Sequence, residues 1–207
     1  MITITKTLCV LIFIISVWAW NDRKIFNGFM HFPFKENRDQ SYYRLFTSIF
    51  LHGSWLHLLV NLFVLYSFGE AIEYQFIQIF GLTQGRIYFL ILFLLSGILA
   101  DIPTLKKYKD DVHFRSVGAS GSISGIMFAY VLFYPWNLLY LYGIIPIPGI
   151  VAGIGYIWYS RYAAKKEGGR IDHNAHLFGA IAGLVITILM YPAVLPSFFN
   201  QLINGLP

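Results

Sequence analysis

Residues 116–160 carry no Lys, Arg, Asp or Glu, a run of 45 residues without a formal charge. One helix crossing a bilayer needs about 20 apolar residues, so this run has to hold two spans. The break belongs at Pro135-Trp136-Asn137, where proline stops helix propagation and Asn accepts turn geometry. Residues 173–207 are again uncharged, which leaves room for one more span and a short tail. Upstream, residues 53–69 and 87–100 are uncharged and extend past isolated charges, and a sixth apolar run covers residues 7–20. Composition agrees with a lipid solvent: 57% of the 207 residues are hydrophobic, 12% are charged, and mean hydropathy is +0.62. The expected architecture is an all-α membrane protein with six transmembrane helices at about residues 4–20, 54–75, 86–102, 117–134, 138–159 and 173–192.

The first run is short, has one Lys near its start, and contains Val17-Trp18-Ala19, which resembles a signal-peptide cleavage site. It is read as a retained anchor, because no soluble domain follows that would need releasing. No internal repeat or low-complexity tract interrupts the chain, so residues 1–207 are expected to form a single polytopic domain. The lone Cys9 excludes an intramolecular disulfide.

With six spans, helices two, four and six all enter the bilayer from one side, and each begins with polar residues. Helix two opens with "HGSWLHLLVN", which holds His52 and then His57 and Asn61, four apart and on one helix face. Helix four opens with "GASGSISG" and helix six with "DHNAHLFG", carrying His173, Asn174 and His176. At about 1.5 Å of rise per residue, Ser120 and His176 are expected roughly 6 to 8 Å below the charges of Arg115 and Asp172. Gly121, Gly125 and Ala129 recur every four residues, as do Ala175, Gly179 and Gly183. Such faces let two membrane helices approach until their backbones nearly touch, which would carry Ser120 toward His176.

A serine hydroxyl is a weak nucleophile until a base takes its proton, and histidine titrates near neutral pH. Ser120 and His176 are therefore the candidate catalytic dyad, with no intramembrane carboxylate expected to orient His176. The oxyanion would be met by the side chains of His57 and Asn61 and by backbone N–H groups at Ser120 and Gly121, helped by the positive end of the helix-four dipole. Ser124 competes as nucleophile, but it lacks the glycine at the matching offset and lies a turn deeper; Ser122 points to another face. The histidines could instead ligate a metal or haem. Against that, no HExxH occurs and no cysteine or carboxylate completes a set, so no metal is expected. His173 reads as a boundary loop residue, Glu70 and Glu73 as structural boundary residues, and "YVLFYPWNLLYLY" as a lipid-facing or interfacial aromatic stripe.

Taken in order, "YYRLFTSIFLHGSWLHLLVNLFVLYSFGEAIE", "YFLILFLLSGILA", "VGASGSISGIMFAYVLFYP", "IPIPGIVAGIGYI" and "AHLFGAIAG" resemble the core of the rhomboid family of intramembrane serine proteases, over about residues 42–190. The resemblance implies a six-helix rhomboid-like bundle in which the GxSG element, residues 118–121, supplies Ser120 as nucleophile. The AHxxG element supplies His176 as base and later acid, and HxxxN supplies His57 and Asn61 to the oxyanion hole. His52 matches an additional upstream histidine, with Gly118, Gly125 and Gly179 in supporting positions, and Glu73 matches a glutamate common in the family. It also implies a water-accessible cavity, cleavage of transmembrane protein substrates among membrane lipids, no cofactor, and no nucleic-acid partner. The alternative is a non-catalytic member that binds transmembrane clients. One departure is Tyr43-Arg44 where the family usually has Trp-Arg, which could alter loop anchoring.

Thirteen of the fifteen Lys and Arg fall on loops one, three and five, including Lys165, Lys166 and Arg170. The positive-inside rule puts that side in the cytoplasm, whereas the resemblance implies, for bacterial members, a site opening to the exterior. The second reading is preferred, in a bacterial inner membrane, because the active side must reach exported substrates. Oligomeric state and substrate identity are left open.

Overall fold

The computed structural model describes residues 2–141, 144–164 and 172–205; Lys165, Lys166, Glu167 and Arg170 of loop five lie outside them. Its helices are α1 (Ile4–Asn21), three short helices in loop one, α2 (Arg23–Phe29), α3 (Pro33–Asp39) and α4 (Arg44–Thr47), then α5 (Trp55–Phe80), α6 (Leu82–Lys107), α7 (Ser120–Phe133), α8 (Gly149–Ala163), α9 (His173–Met190) and α10 (Val194–Asn204). Among the described residues α1, α5, α6 and α9 are long and apolar enough to cross a membrane, and α7 is a shorter apolar helix. This is an all-α membrane bundle, as the charge-free runs predict.

Helix α7 is the centre of the bundle: ten of its fourteen residues are buried, against α5, α6 and α9. Leu58, Leu65 and Ile72 of α5, Phe89 and Phe93 of α6, Ile123 and Ile126 of α7 and Ile186 of α9 share one apolar core. The chain turns from α5 directly into α6 at Gly81, whose φ of +81° is open to glycine and strained for other residues. A Cβ placed on Gly179 would sit 2.3 Å from the Gly121 carbonyl oxygen, and one on Gly183 would sit 2.2 Å from the Gly125 Cα. The two small-residue faces therefore do pack, with α7 and α9 in backbone contact.

Helix α1 is held from its start by a side chain of another helix. Glu73 of α5, itself 1% exposed, accepts hydrogen bonds from the backbone N–H of Ile4 and Thr5 and from Thr5 Oγ1, each at 2.8 Å. These are donors that a helix N-terminus leaves unsatisfied. Arg86 Nε approaches the same carboxylate at 3.5 Å, and Thr3 Oγ1 donates to Glu70. Both glutamates thus have structural partners.

The expected spans are corrected in several places, and α5 and α6 both run longer than the 54–75 and 86–102 expected. The fourth begins at Ser120, not at 117, because residues 115–119 are not helical, so a helical rise does not set the depth of Ser120. The fifth does not run from 138: Leu138–Leu141 (β1) pairs antiparallel with Ile145–Pro148 (β2), and only then does α8 begin. Pro146 and Pro148 lie in that predicted helix, and proline lacks the N–H and clashes with the preceding turn. The sixth ends at Met190, and the tail forms α10, docked by Trp136 Nε1 donating to the Gln201 carbonyl at 2.8 Å. The break expected at Pro135-Trp136-Asn137 is where α7 has ended.

Candidate active site

Loop one is built as a brace on the approach to α7. Arg44, 2% exposed, donates from Nη1 to the carbonyls of Asn27 (2.9 Å) and Met30 (3.0 Å), and Thr47 Oγ1 donates to Phe29 O at 2.8 Å. Tyr43 Oη donates to Gly28 O at 3.2 Å, so the Tyr-Arg pair anchors the loop at both residues. His31 and Glu36 are fully buried, with His31 Nδ1 2.8 and 3.0 Å from the two carboxylate oxygens. Burial alone would lower the His31 pKa. The Glu36 hydrogen bond and the negative charges of Asp101, Glu36 and Asp172 outweigh it and raise the pKa above 6.5. His31 and Ser116 exchange backbone hydrogen bonds at 3.1 Å, and Gly118 N–H donates to Ser48 O at 3.0 Å. The loop therefore fixes the residues that lead to Ser120.

Gly118 has φ +132°, and a Cβ there would lie 2.7 Å from His57 Cε1. Its missing side chain is the space the His57 imidazole occupies. The His57 ring meets His52 edge-on, centroids 4.8 Å apart, while His52 Nδ1 is 3.0 Å from Ser16 Oγ and its carbonyl accepts from Trp20 Nε1 at 2.6 Å. Asn61, on the same face of α5 as His57, donates from Nδ2 to His57 O at 2.9 Å. Helix α1 thus supports the histidine pair through Ser16 and Trp20, two residues the sequence reading did not single out.

Ser120 is the first residue of α7 and is half-buried, as is His176 in the first turn of α9. A Cβ on Gly121 would be 3.6 Å from Ala175 O, so the neighbours of Ser120 and His176 face each other across the helix crossing. Asp172 fixes the start of α9: its Oδ1 accepts from Ala175 N–H at 3.1 Å and its Oδ2 from Thr104 Oγ1 at 2.7 Å. Among the described residues neither Ser120 Oγ nor the His176 ring makes a hydrogen bond. His173 opens α9, and its ring meets that of His176 edge-on at 5.7 Å. Ser122 is fully buried, with its Oγ 2.2 Å from where a Gly97 Cβ would stand. Ser124 Oγ donates to Ser120 O at 2.7 Å and lies 2.5 Å from Tyr156 Oη. Tyr156, to which the sequence reading assigns no role, comes from α8, which no local pattern ties to α7.

Polar residues gathered at the N-terminal ends of α5, α7 and α9, within a bundle of apolar helices, mark a polytopic membrane protein, and sequence comparison says which kind. Residues 39–193 match the Rhomboid domain, and the chain belongs to the rhomboid family. It is 27% identical over 176 residues to RHOMBOID-like protein 12, mitochondrial, of Arabidopsis thaliana, covering 81% of this chain and 52% of that protein. It is 28% identical over 163 residues to Rhomboid-like protein 11, chloroplastic, of the same plant, covering 72% and 53%. It is 30% identical over 149 residues to the Bacillus subtilis (strain 168) protein named "Putative rhomboid protease YdcA", covering 72% and 67%. The chain spans about half the length of the two plant relatives. Mitochondrial and chloroplastic names stand beside a bacterial one, so these likenesses do not support the bacterial inner membrane expected from the sequence.

Proposed function

We propose that this protein is an intramembrane serine endopeptidase that hydrolyses peptide bonds in or near transmembrane segments of membrane proteins. The observation that supports the reading is the glycine-mediated crossing of α7 and α9, where Gly121 and Ala175, the neighbours of Ser120 and His176, face each other, with the His57 ring beside Gly118. In this reading His176 takes the Ser120 proton as Oγ attacks the scissile carbonyl carbon. The resulting oxyanion is met by His57, Asn61 and the backbone N–H groups of Ser120 and Gly121, which head α7 and have no partner within the helix. His176 then gives its proton to the leaving amine as the C–N bond breaks. Water, deprotonated by the same imidazole, attacks the acyl-enzyme and returns Ser120 to the hydroxyl form. The chemistry uses side chains of this chain and needs no cofactor.

A fluorophosphonate probe on the purified protein should label Ser120, and a transmembrane substrate with a destabilised helix should be cut. Ser120→Ala should abolish both without loss of helicity; undiminished cleavage by that variant would remove the assignment. The second reading, a non-catalytic binder of transmembrane clients, draws on the missing Ser120–His176 hydrogen bond. Catalytic contacts are commonly long before substrate binds, which is why we place it second. It predicts substrate capture with no product. The site is proposed to open on the exterior face; reporters fused at Lys107 and Pro207 check this, and an exported-side reporter active only at Pro207 would reverse it.

A further inference from the structure

One aromatic side chain from outside the α7–α9 pair lies alongside His176 and is linked to the Ser120 carbonyl through Ser124. The Tyr156 ring lies nearly parallel to His176, with centroids 6.1 Å apart and 21° between planes, and Phe128 of α7 flanks it at 5.8 Å. Its hydroxyl lies 2.5 Å from Ser124 Oγ. A serine hydroxyl has one proton, and Ser124 gives it to the Ser120 carbonyl at 2.7 Å, so in that contact Tyr156 is the donor. The chain Tyr156 Oη–H to Ser124 Oγ–H to Ser120 O runs to the backbone of the candidate nucleophile. The ring meanwhile covers one side of an imidazole that no hydrogen bond orients among the described residues. Ser124, the rival nucleophile in the sequence, is thereby occupied as a relay.

Resting on the reading of Ser120 and His176 above, we propose that Tyr156 is a positioning residue for that pair, so the pair is set for reaction only while α8 is docked. A ring with no hydrogen-bond partner is free to turn about its Cβ–Cγ bond, and an aromatic face alongside restricts it. The same face stabilises the imidazolium that forms when Ser120 gives up its proton. Helix α8 is suited to moving as a unit. It has fifteen residues, follows a two-stranded hairpin, and exposes Val151, Ile154 and Trp158 on its outer side. On its inner side Gly153 lies one turn before Tyr156 and faces Phe128, 3.6 Å from where a Cβ would be, an ordinary packing distance. Displacing α8 takes Tyr156 away from His176 and from Ser124 together.

The test uses the purified full chain and measures two rates: cleavage of a transmembrane substrate, resolved into kcat and KM, and fluorophosphonate labelling of Ser120. Labelling needs the nucleophile and its base but no transmembrane substrate, so loss of a mere substrate contact leaves it unchanged. Tyr156→Leu should lower kcat and the labelling rate together, by about three- to tenfold for one aromatic contact, with KM little changed. Tyr156→Phe keeps the ring and should recover most of the labelling. Trp158→Leu, on the outer face, should match the wild type. If the leucine variant does not fold, Tyr156→Met replaces it. Wild-type labelling in a folded ring-less variant, or a change in KM alone, overturns the inference while leaving the Ser120 and His176 reading in place. Failure of the wild-type protein to label or cleave overturns both.

Discussion

Gly118 is the residue where backbone conformation and chemistry meet. Its φ of +132° is closed to most side chains, and the volume a Cβ would take is filled by His57. Gly118→Ala should therefore cost about 1 to 3 kcal/mol in backbone strain and also push the imidazole off its position. In the proposed mechanism His57 is an oxyanion donor, and loss of one such donor costs roughly 10²-fold in kcat or more. Activity should thus fall further than the drop in Tm explains, and an equal fall in both would detach His57 from the site. The buried His31–Glu36 pair gives a pH signature of a different kind. Because folding raises the His31 pKa above 6.5, its contribution to stability is fully present below that value. It is lost as pH rises through the higher folded value. The Tm difference between wild type and Glu36→Gln should be largest at acidic pH and shrink as pH rises; a difference that grows with pH contradicts the pairing. Neither partner is foreshadowed by sequence, since an i, i+5 spacing with proline between belongs to no regular element.

At the scale of elements, the α7–α9 crossing tolerates no added atom. Gly183→Ala would set a methyl 2.2 Å from the Gly125 Cα, backbone against backbone, whereas Gly155 of α8 has nothing within 4 Å. The first should destabilise by about 1 to 3 kcal/mol, as overpacking does. The second should be neutral or stabilising by about 0.5 to 1 kcal/mol through helix propensity. Thermal unfolding of the two variants separates the cases, and similar Tm values would show that the crossing can relax. This crossing was legible in the sequence because small residues four apart mark a face whatever the rest of the fold does. The β1–β2 hairpin was not, because counting uncharged residues measures length and not helicity. Pro146 and Pro148 held the missing information. Helix α10 was passed over as a tail for the same reason: its uncharged sequence continues the run that α9 begins.

For the whole molecule, the bundle and the three polar helix entrances could be read from charge spacing, because lipid penalises misplaced polar groups so heavily. What joins the entrances could not. Ser16 beneath His52, Tyr156 beside His176 and His31 bridged to Ser116 are contacts between elements distant in the chain, and no periodicity encodes them. The short α8 carries a further consequence. Fifteen residues span about 22 Å, against a hydrocarbon layer of about 30 Å, while α5 and α6 have 26 residues each. With α8 in the place of the fifth span expected from the sequence, the rim of the protein would be uneven, and lipids beside α8 would have to shorten to meet it. We predict faster cleavage in vesicles of 14-carbon lipids than in those of 22-carbon lipids, and equal rates would mean that the hairpin makes up the height. In a membrane of mixed thickness the protein should gather where the bilayer is thin, so that its neighbours there, and not sequence alone, decide what it meets.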